Sequence, residues 1–208
     1  QLRFMLSKDP GFDRDQVVTI AFRNGVDRKY QLLKEELLKD TLIKGVTATQ
    51  QGLGNNLHQS GMLFRGRNQA ERTLTSSRAI VDRDFLTVYK IPLVAGRNFS
   101  ENPHENGRTM IVNETLAKEL LKEQKNADLQ SLIGTQFGFN GMDTLPTIIG
   151  IAKDFNFNSL HHNIETLFLF NQKDWGFAEM SVKIDAKRAE QAIAFIQSVW
   201  NKHVPELP

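Results

Sequence analysis

The sequence predicts an α/β (α+β) protein of two lobes, an outer lobe built from strand-helix units and a mixed lobe inserted into it. Three observations carry this expectation. A strand-helix-strand pattern fills roughly the first 50 residues. The last part of the chain partly repeats it. Between them the texture changes to short apolar runs separated by polar loops.

Taken in order, "QVVTIAF" is a short β-branched run, and the "RNGVD" after it brings the Asn, Gly and Asp of a turn. Asp27 is placed to cap a helix over "RKYQLLKEELLKDTLIK". In that helix Tyr30, Leu33 and Leu37 share a face, Glu35 and Lys39 form an i,i+4 pair, and Gly45 supplies the stop. "VTATQ" then returns as a second strand. At the other end, "TIIGIAK" and "AEMSVKI" read as strands, and Asp185 opens a helix that Pro205 ends. Ala189, Ala192, Ile193, Ile196, Val199, Trp200 and His203 recur at helical spacing within it.

In the middle, "AIVDRDFLTVYKIPLVAGRNFS" predicts a strand, a short helix capped by Asp82 or Asp84, and an extended piece turning at Gly96. "TMIV" leads to Asn113, an N-cap for "ETLAKELLKE", with Leu116, Ala117, Leu120 and Leu121 on one side. Glu114 stands where the helix dipole favours a negative charge. The loops "QQGLGNNLHQSG" and "GRNFSENPHENGR" are rich in Gly, Asn and Ser, which marks them as exposed connections where binding surfaces often lie.

Composition narrows the function. The 26 basic and 24 acidic residues leave a formal charge of +2, too small for a nucleic-acid field despite a pI of 8.8. Cysteine is absent, which removes disulfides, thiolate nucleophiles and Cys-ligated zinc and leaves the redox compartment open. No run approaches the roughly 18 apolar residues a bilayer span needs, and no basic-then-apolar leader opens the chain. The start at Gln1 and the end at "HVPELP" read as a segment of a longer protein whose targeting information lies outside it.

The stretch "IIGIAKDFNFNSLHHNI" raises the one question of chemistry, because it sets Asp154, His161 and His162 close together after a strand. Neighbouring histidines point to opposite faces of a strand or about 100° apart on a helix, so one ion is hardly gripped by both. None of the five histidines forms H-E-x-x-H. The favoured reading has Asp154 and the nearby Asn side chains satisfying turn amides. A metal-dependent hydrolase centred on Asp154, His161 and His162 is the alternative. Neither nucleotide-binding glycine motif occurs, and no G-x-S-x-G elbow surrounds Ser60 or any other serine. Arg65, Arg67, Arg72 and Arg78 near Phe64 could mark single-strand nucleic-acid binding, but their alternation reads better as half-exposed strands with arginine outward. The phenylalanines of "FNF", "FGF" and "LFLF" read as core.

Five motifs in order, "DPGFDRDQVV", "VDRDFLTVYKIPLVAGRNFS", "IVNETLAKEL", "IGTQF" and "IIGIAKDFNFNSLHHNIETLF", resemble the MacB-like periplasmic core domain of FtsX-like ABC transporter permeases over nearly the whole chain. The resemblance implies a periplasmic segment of an inner-membrane permease, between its first and second transmembrane helices. It implies a porter-like lobe over 1–81 plus 146–208 and a Sabre-like insert over 82–145. It further implies no catalysis and no cofactor in this domain. A separate cytoplasmic ATPase supplies the energy, which the permease's transmembrane helices pass outward by mechanotransmission for export or partner binding. A periplasmic adaptor or a second protomer is the implied partner; nucleic acid is not. Gly96 with Arg97 matches the family's "GR.F" turn, Asn113 with Glu114 its "NE" helix start, and Gly150, Asp154 and Phe155 its "G...DF" turn; all are expected to keep the fold. Asn156 and Thr166 stand where members often carry His and Pro. The end segments, 1–6 and 200–208, are expected to leave on the same side.

Overall fold

A computed structural model describes residues 16–23, 25–52, 57–66, 70–122, 127–157 and 164–205. The first elements are β1 (Val17–Ala21), α1 (Tyr30–Leu37), β2 (Ile43–Thr49), β3 (His58–Arg65) and β4 (Arg72–Ile80). They are followed by α2 (Phe85–Val88), β5 (Leu93–Gly96), β6 (Thr109–Asn113), α3 (Glu114–Leu121) and β7 (Gln136–Phe139). β8 (Thr147–Ala152), β9 (Leu167–Phe170), β10 (Glu179–Ile184) and α4 (Ala189–His203) complete the chain. The architecture is mixed α+β, in two sheets.

The smaller sheet has three strands in the order β1-β10-β2, with β10 antiparallel to both neighbours. Strand alternation sorts its two faces. Val46 and Ala48 of β2 and Met180, Val182 and Ile184 of β10 join Leu33 and Leu37 of α1 and Ala192, Ile196 and Val199 of α4 in one apolar cluster. The opposite face meets α2. There the Tyr89 hydroxyl donates to Ser181 Oγ at 2.8 Å, and Gly45 lies so close to Val88 that an added Cβ would stand 2.9 Å from its Cγ2. Gly45 is therefore a close-approach glycine inside β2, not the stop of α1, which ends at Leu37. Nor does the Asp27 side chain cap α1: Asp27 sits within a 3₁₀ turn, Val26–Lys29, that Gly25 opens at φ 78°. Lys39 pairs with Glu36 at 2.8 Å instead of with Glu35.

The larger sheet runs β5-β8-β6-β9-β4-β3-β7, and β7 also pairs with β8 through Gln136 and Thr147, so the sheet curls until it meets itself. Met110, Val112, Phe168 and Phe170 face one apolar cluster with Leu116, Ala117 and Leu120 of α3. Their neighbours Ile111, Leu167 and Leu169 face the other, with Phe85, Tyr89, Phe155 and Phe157. Both faces are thus buried, which is why "TMIV" and "LFLF" are continuous apolar runs.

The lobe boundaries expected at 81/82 and 145/146 fall within this larger sheet. β9 lies in it between β4 and β6, and β8 lies between β5 and β6. Pairing partners are set by long-range register, which the period of a single strand does not carry.

Of the end segments, residues 1–15 and 206–208 lie outside the described residues. Gln16 accepts from Ile184 N at 2.9 Å, whereas the His203 carbonyl, at the far end of α4, accepts from Lys29 Nζ at 2.7 Å. A helix of 15 residues is about 22 Å long, so these two described edges are separated along α4.

Candidate functional site

Asp154 is committed to α3. Its Oδ1 accepts from Thr115 N at 2.9 Å and its Oδ2 from Thr115 Oγ1 at 2.8 Å, while its own N–H donates to Glu114 Oε2 at 3.2 Å. The Asp154 carboxylate thus serves an orphan amide at the start of α3, and the Glu114 carboxylate in return holds the backbone after β8. His161 and His162 lie outside the described residues. Among the described residues no group of three or more His, Asp or Glu side chains is placed to hold a metal ion.

The other motif residues gather along the same seam. Asn113 Oδ1 accepts from Leu116 N and from Leu167 N, both at 3.0 Å, and its Nδ2 donates to Glu165 O at 2.9 Å. One buried amide thereby ties α3 to the entry of β9. Asn113→Ala removes all three bonds, and a loss of about 2–3 kcal/mol by chemical denaturation is expected. Gly96 and Gly150 face each other across β5 and β8, and Gly96 has φ 72°. Arg97 donates to Glu105 through two nitrogens at 3.1 and 2.8 Å, and this guanidinium holds the Glu105 carboxyl below its ordinary range. Phe155 packs its ring at a tilt against Phe85 and Phe157.

A second cluster, unread in the sequence, lies where the two sheets meet. Thr49 and Val81 form an isolated antiparallel bridge, flanked by Gln50 N to Ile80 O at 3.0 Å and Asp82 N to Ala48 O at 2.9 Å. The Asp82 carboxylate accepts from the Tyr30 hydroxyl, Lys34 Nζ, Thr47 Oγ1 and the Asp84 amide. Lys34 also reaches Asp84, and the Lys34 and Asp82 side chains are only 7% and 9% exposed. A carboxylate from the segment after β4 is thus held by α1 and β2 of the smaller sheet. "VDRD" signalled helix caps; its longer-range partner Lys34 lay 48 residues away.

Burial, and then the Asp82 charge, push the Tyr30 phenol well above its ordinary 10.0. The unfolded chain releases this proton near pH 10 and the folded chain later, so the stabilisation is complete below pH 10 and is lost as pH rises toward the native value. The denaturation midpoint is expected to fall above pH 10, and Tyr30→Phe to flatten that fall; an unchanged alkaline limb would contradict it.

Beside this joint opens a cleft of about 660 Å³. One wall is α1 with its preceding 3₁₀ turn, and the other is formed by segments 100–106 and 171–177, with Tyr30, Lys34 and Asp82 in the lining. A hollow of about 310 Å³ shares Asp27, Trp175, Gly176 and Phe177 with it.

The family model of the MacB-like periplasmic core domain matches residues 4–198. The chain belongs to this family. As such it is a periplasmic domain of a MacB-like ABC transporter permease. Among solved structures, the periplasmic region of MacB from Actinobacillus actinomycetemcomitans is 15% identical, with a TM-score of 0.58, covering 93% of this chain and 86% of that one. The extracellular domain of the noncanonic ABC-type transporter YknZ from Gram-positive bacteria is 12% identical, with a TM-score of 0.55, covering 89% and 92%. At these identities the likeness is one of fold. No curated protein sequence matches the chain.

In this MacB-like domain the arginines are engaged with their own fold. Arg72 donates to the Glu119 and Leu120 carbonyls at the end of α3, where a helix favours positive charge, and lies 5.6 Å over Phe64. Arg78 lies over Phe139 and Trp175 at 5.7 and 5.6 Å. Arg67 lies outside the described residues. Among the described residues no helix is long and apolar enough to cross a membrane.

Proposed function

We propose that the domain is a non-catalytic coupling element of an inner-membrane permease, with this segment periplasmic. A cytoplasmic ATPase hydrolyses ATP, the transmembrane helices move, and the domain converts that shift into an angle between two lobes for export or partner binding. The lobes are the units around the two sheets, made of the described residues within 16–50 and 177–205 and within 57–176. The observation that carries the reading is the joint. The two sheets meet at the short Thr49–Val81 bridge and the buried ionic cluster, with α2 packed on the smaller sheet behind them, beside a cleft walled by both units, and this supports reading the joint as a hinge. The motif residues Gly96, Arg97, Asn113, Glu114, Gly150, Asp154 and Phe155 keep the larger lobe rigid, as a lever needs. A metal-dependent hydrolase at Asp154 draws no support from a carboxylate whose two oxygens already hold Thr115.

The chain lacks cysteine, so a pair introduced as Glu35→Cys and His104→Cys is unique within the domain. Bridging the pair with a bifunctional reagent in the whole permease is expected to leave the ATPase able to turn over while output falls, whether output is export or partner activation. Full output from the bridged protein would refute the hinge.

A further inference from the structure

Asparagine followed by glycine is among the most labile pairs of a polypeptide in water, because a residue without a Cβ lets its backbone nitrogen approach the side-chain amide before it. The sequence holds three such pairs, Asn24–Gly25, Asn106–Gly107 and Asn140–Gly141. Asn24 lies outside the described residues. The other two share one chemistry and differ in the restraints that the fold places on it.

Asn106 is held on every side. Its Nδ2 donates to Gln172 Oε1 at 3.1 Å and to Asp174 Oδ2 at 2.9 Å, and its Oδ1 accepts from Lys173 N at 3.0 Å. The backbone nitrogen that would attack it is engaged as well, since Gly107 N donates to Asn171 O at 2.8 Å. Asn140 and Gly141 are both exposed, in the turn that follows β7, where Met142 N donates to Phe139 O at 3.3 Å. Among the described residues, no hydrogen bond engages the Asn140 side chain or the Gly141 amide. There is room around Gly141, as nothing lies within 4 Å of where a Cβ would stand.

We propose that Asn140 is a site of spontaneous deamidation, and that the fold shields Asn106 from the same reaction. Gly141 N attacks Asn140 Cγ, the new C–N bond closes a five-membered succinimide, and the side-chain nitrogen leaves as ammonia with the Gly141 amide proton. Water then opens the ring at either carbonyl, giving aspartate or isoaspartate at position 140. Water is the one co-reactant, and nothing is oxidised or reduced. The product carboxylate lowers the formal charge of +2 by one unit. It follows Phe139, whose ring lies 5.6 Å from that of Trp175 in the cleft lining. The site is independent of the coupling role.

The test incubates the purified permease at mildly alkaline pH, digests it in acid and reads each Asn–Gly peptide by mass spectrometry, with chromatography separating aspartate from isoaspartate. Asn140 is expected to convert, with isoaspartate in excess. Asn106 is expected to convert more than about tenfold more slowly, because its three side-chain bonds must first be given up. In strong denaturant both pairs are bare, and the two rates are expected to agree within about threefold. The pair Gln172→Ala with Asp174→Ala removes both acceptors of Asn106 Nδ2 and is expected to quicken conversion at Asn106 while leaving Asn140 unchanged. Equal rates in the folded protein, an Asn140 that stays intact, a difference that persists in denaturant, or an unchanged Asn106 in the paired variant would each overturn the proposal.

Discussion

Replacing Asp82 with alanine is expected to destabilise the chain by about 3–5 kcal/mol in chemical denaturation, the largest loss at any single polar side chain of this fold. The reason is what the substitution leaves behind. Lys34 would keep a buried ammonium whose remaining partner, Asp84, is itself 37% exposed, and the Tyr30 and Thr47 hydroxyls would lose their acceptor. Adding Lys34→Met to the alanine variant removes the stranded charge, so about 1–3 kcal/mol is expected to return. A strictly additive double variant would show that Lys34 and Asp82 are not coupled.

Gly96→Ala is the second large effect, expected to cost about 3 kcal/mol or more through a steric mechanism. Gly96 has φ 72°, where a Cβ is strained, and its Cβ would fall on the Ile149 carbonyl oxygen, 2.8 Å from Ile133 Cδ1 and 2.9 Å from Gly150 Cα. Backbone atoms on a central strand do not step aside. Gly61→Ala in β3 is the matched control, because nothing lies within 4 Å of a Cβ there. Its effect is expected to stay within about 1 kcal/mol. Equal costs at both positions would show that Gly96 is not set by close approach.

Much of the fold was legible where one residue decides one contact nearby. Asn113 opens α3 as its spacing to Leu116 requires, Asp185 caps the turn before α4, and Gly96 turns the chain after β5. Asp154 differs: its residue type suggested amides of its own turn, but its carboxylate accepts from Thr115 N and Oγ1, 39 residues away. What was not legible depends on partners far away in sequence. The curl of the larger sheet rests on β7 meeting both β3 and β8, and the joint rests on Lys34 finding Asp82. Gly45 illustrates the same limit, since a glycine required by Val88 is indistinguishable in sequence from one that ends a helix. The cleft is less legible still, because its walls come from segments as far apart in sequence as Asp27 and Trp175.

The account stands on movement of the two sheet units about the Asp82 joint in response to ATP turnover elsewhere. Spin labels at Glu35→Cys and His104→Cys in the whole permease with its ATPase report that angle directly, one label on α1 and the other on the 3₁₀ turn Pro103–Glu105. The distance distribution is expected to shift between the nucleotide-free and ATP-trapped states, and to return when ADP replaces ATP. An identical distribution in all three states would contradict the account.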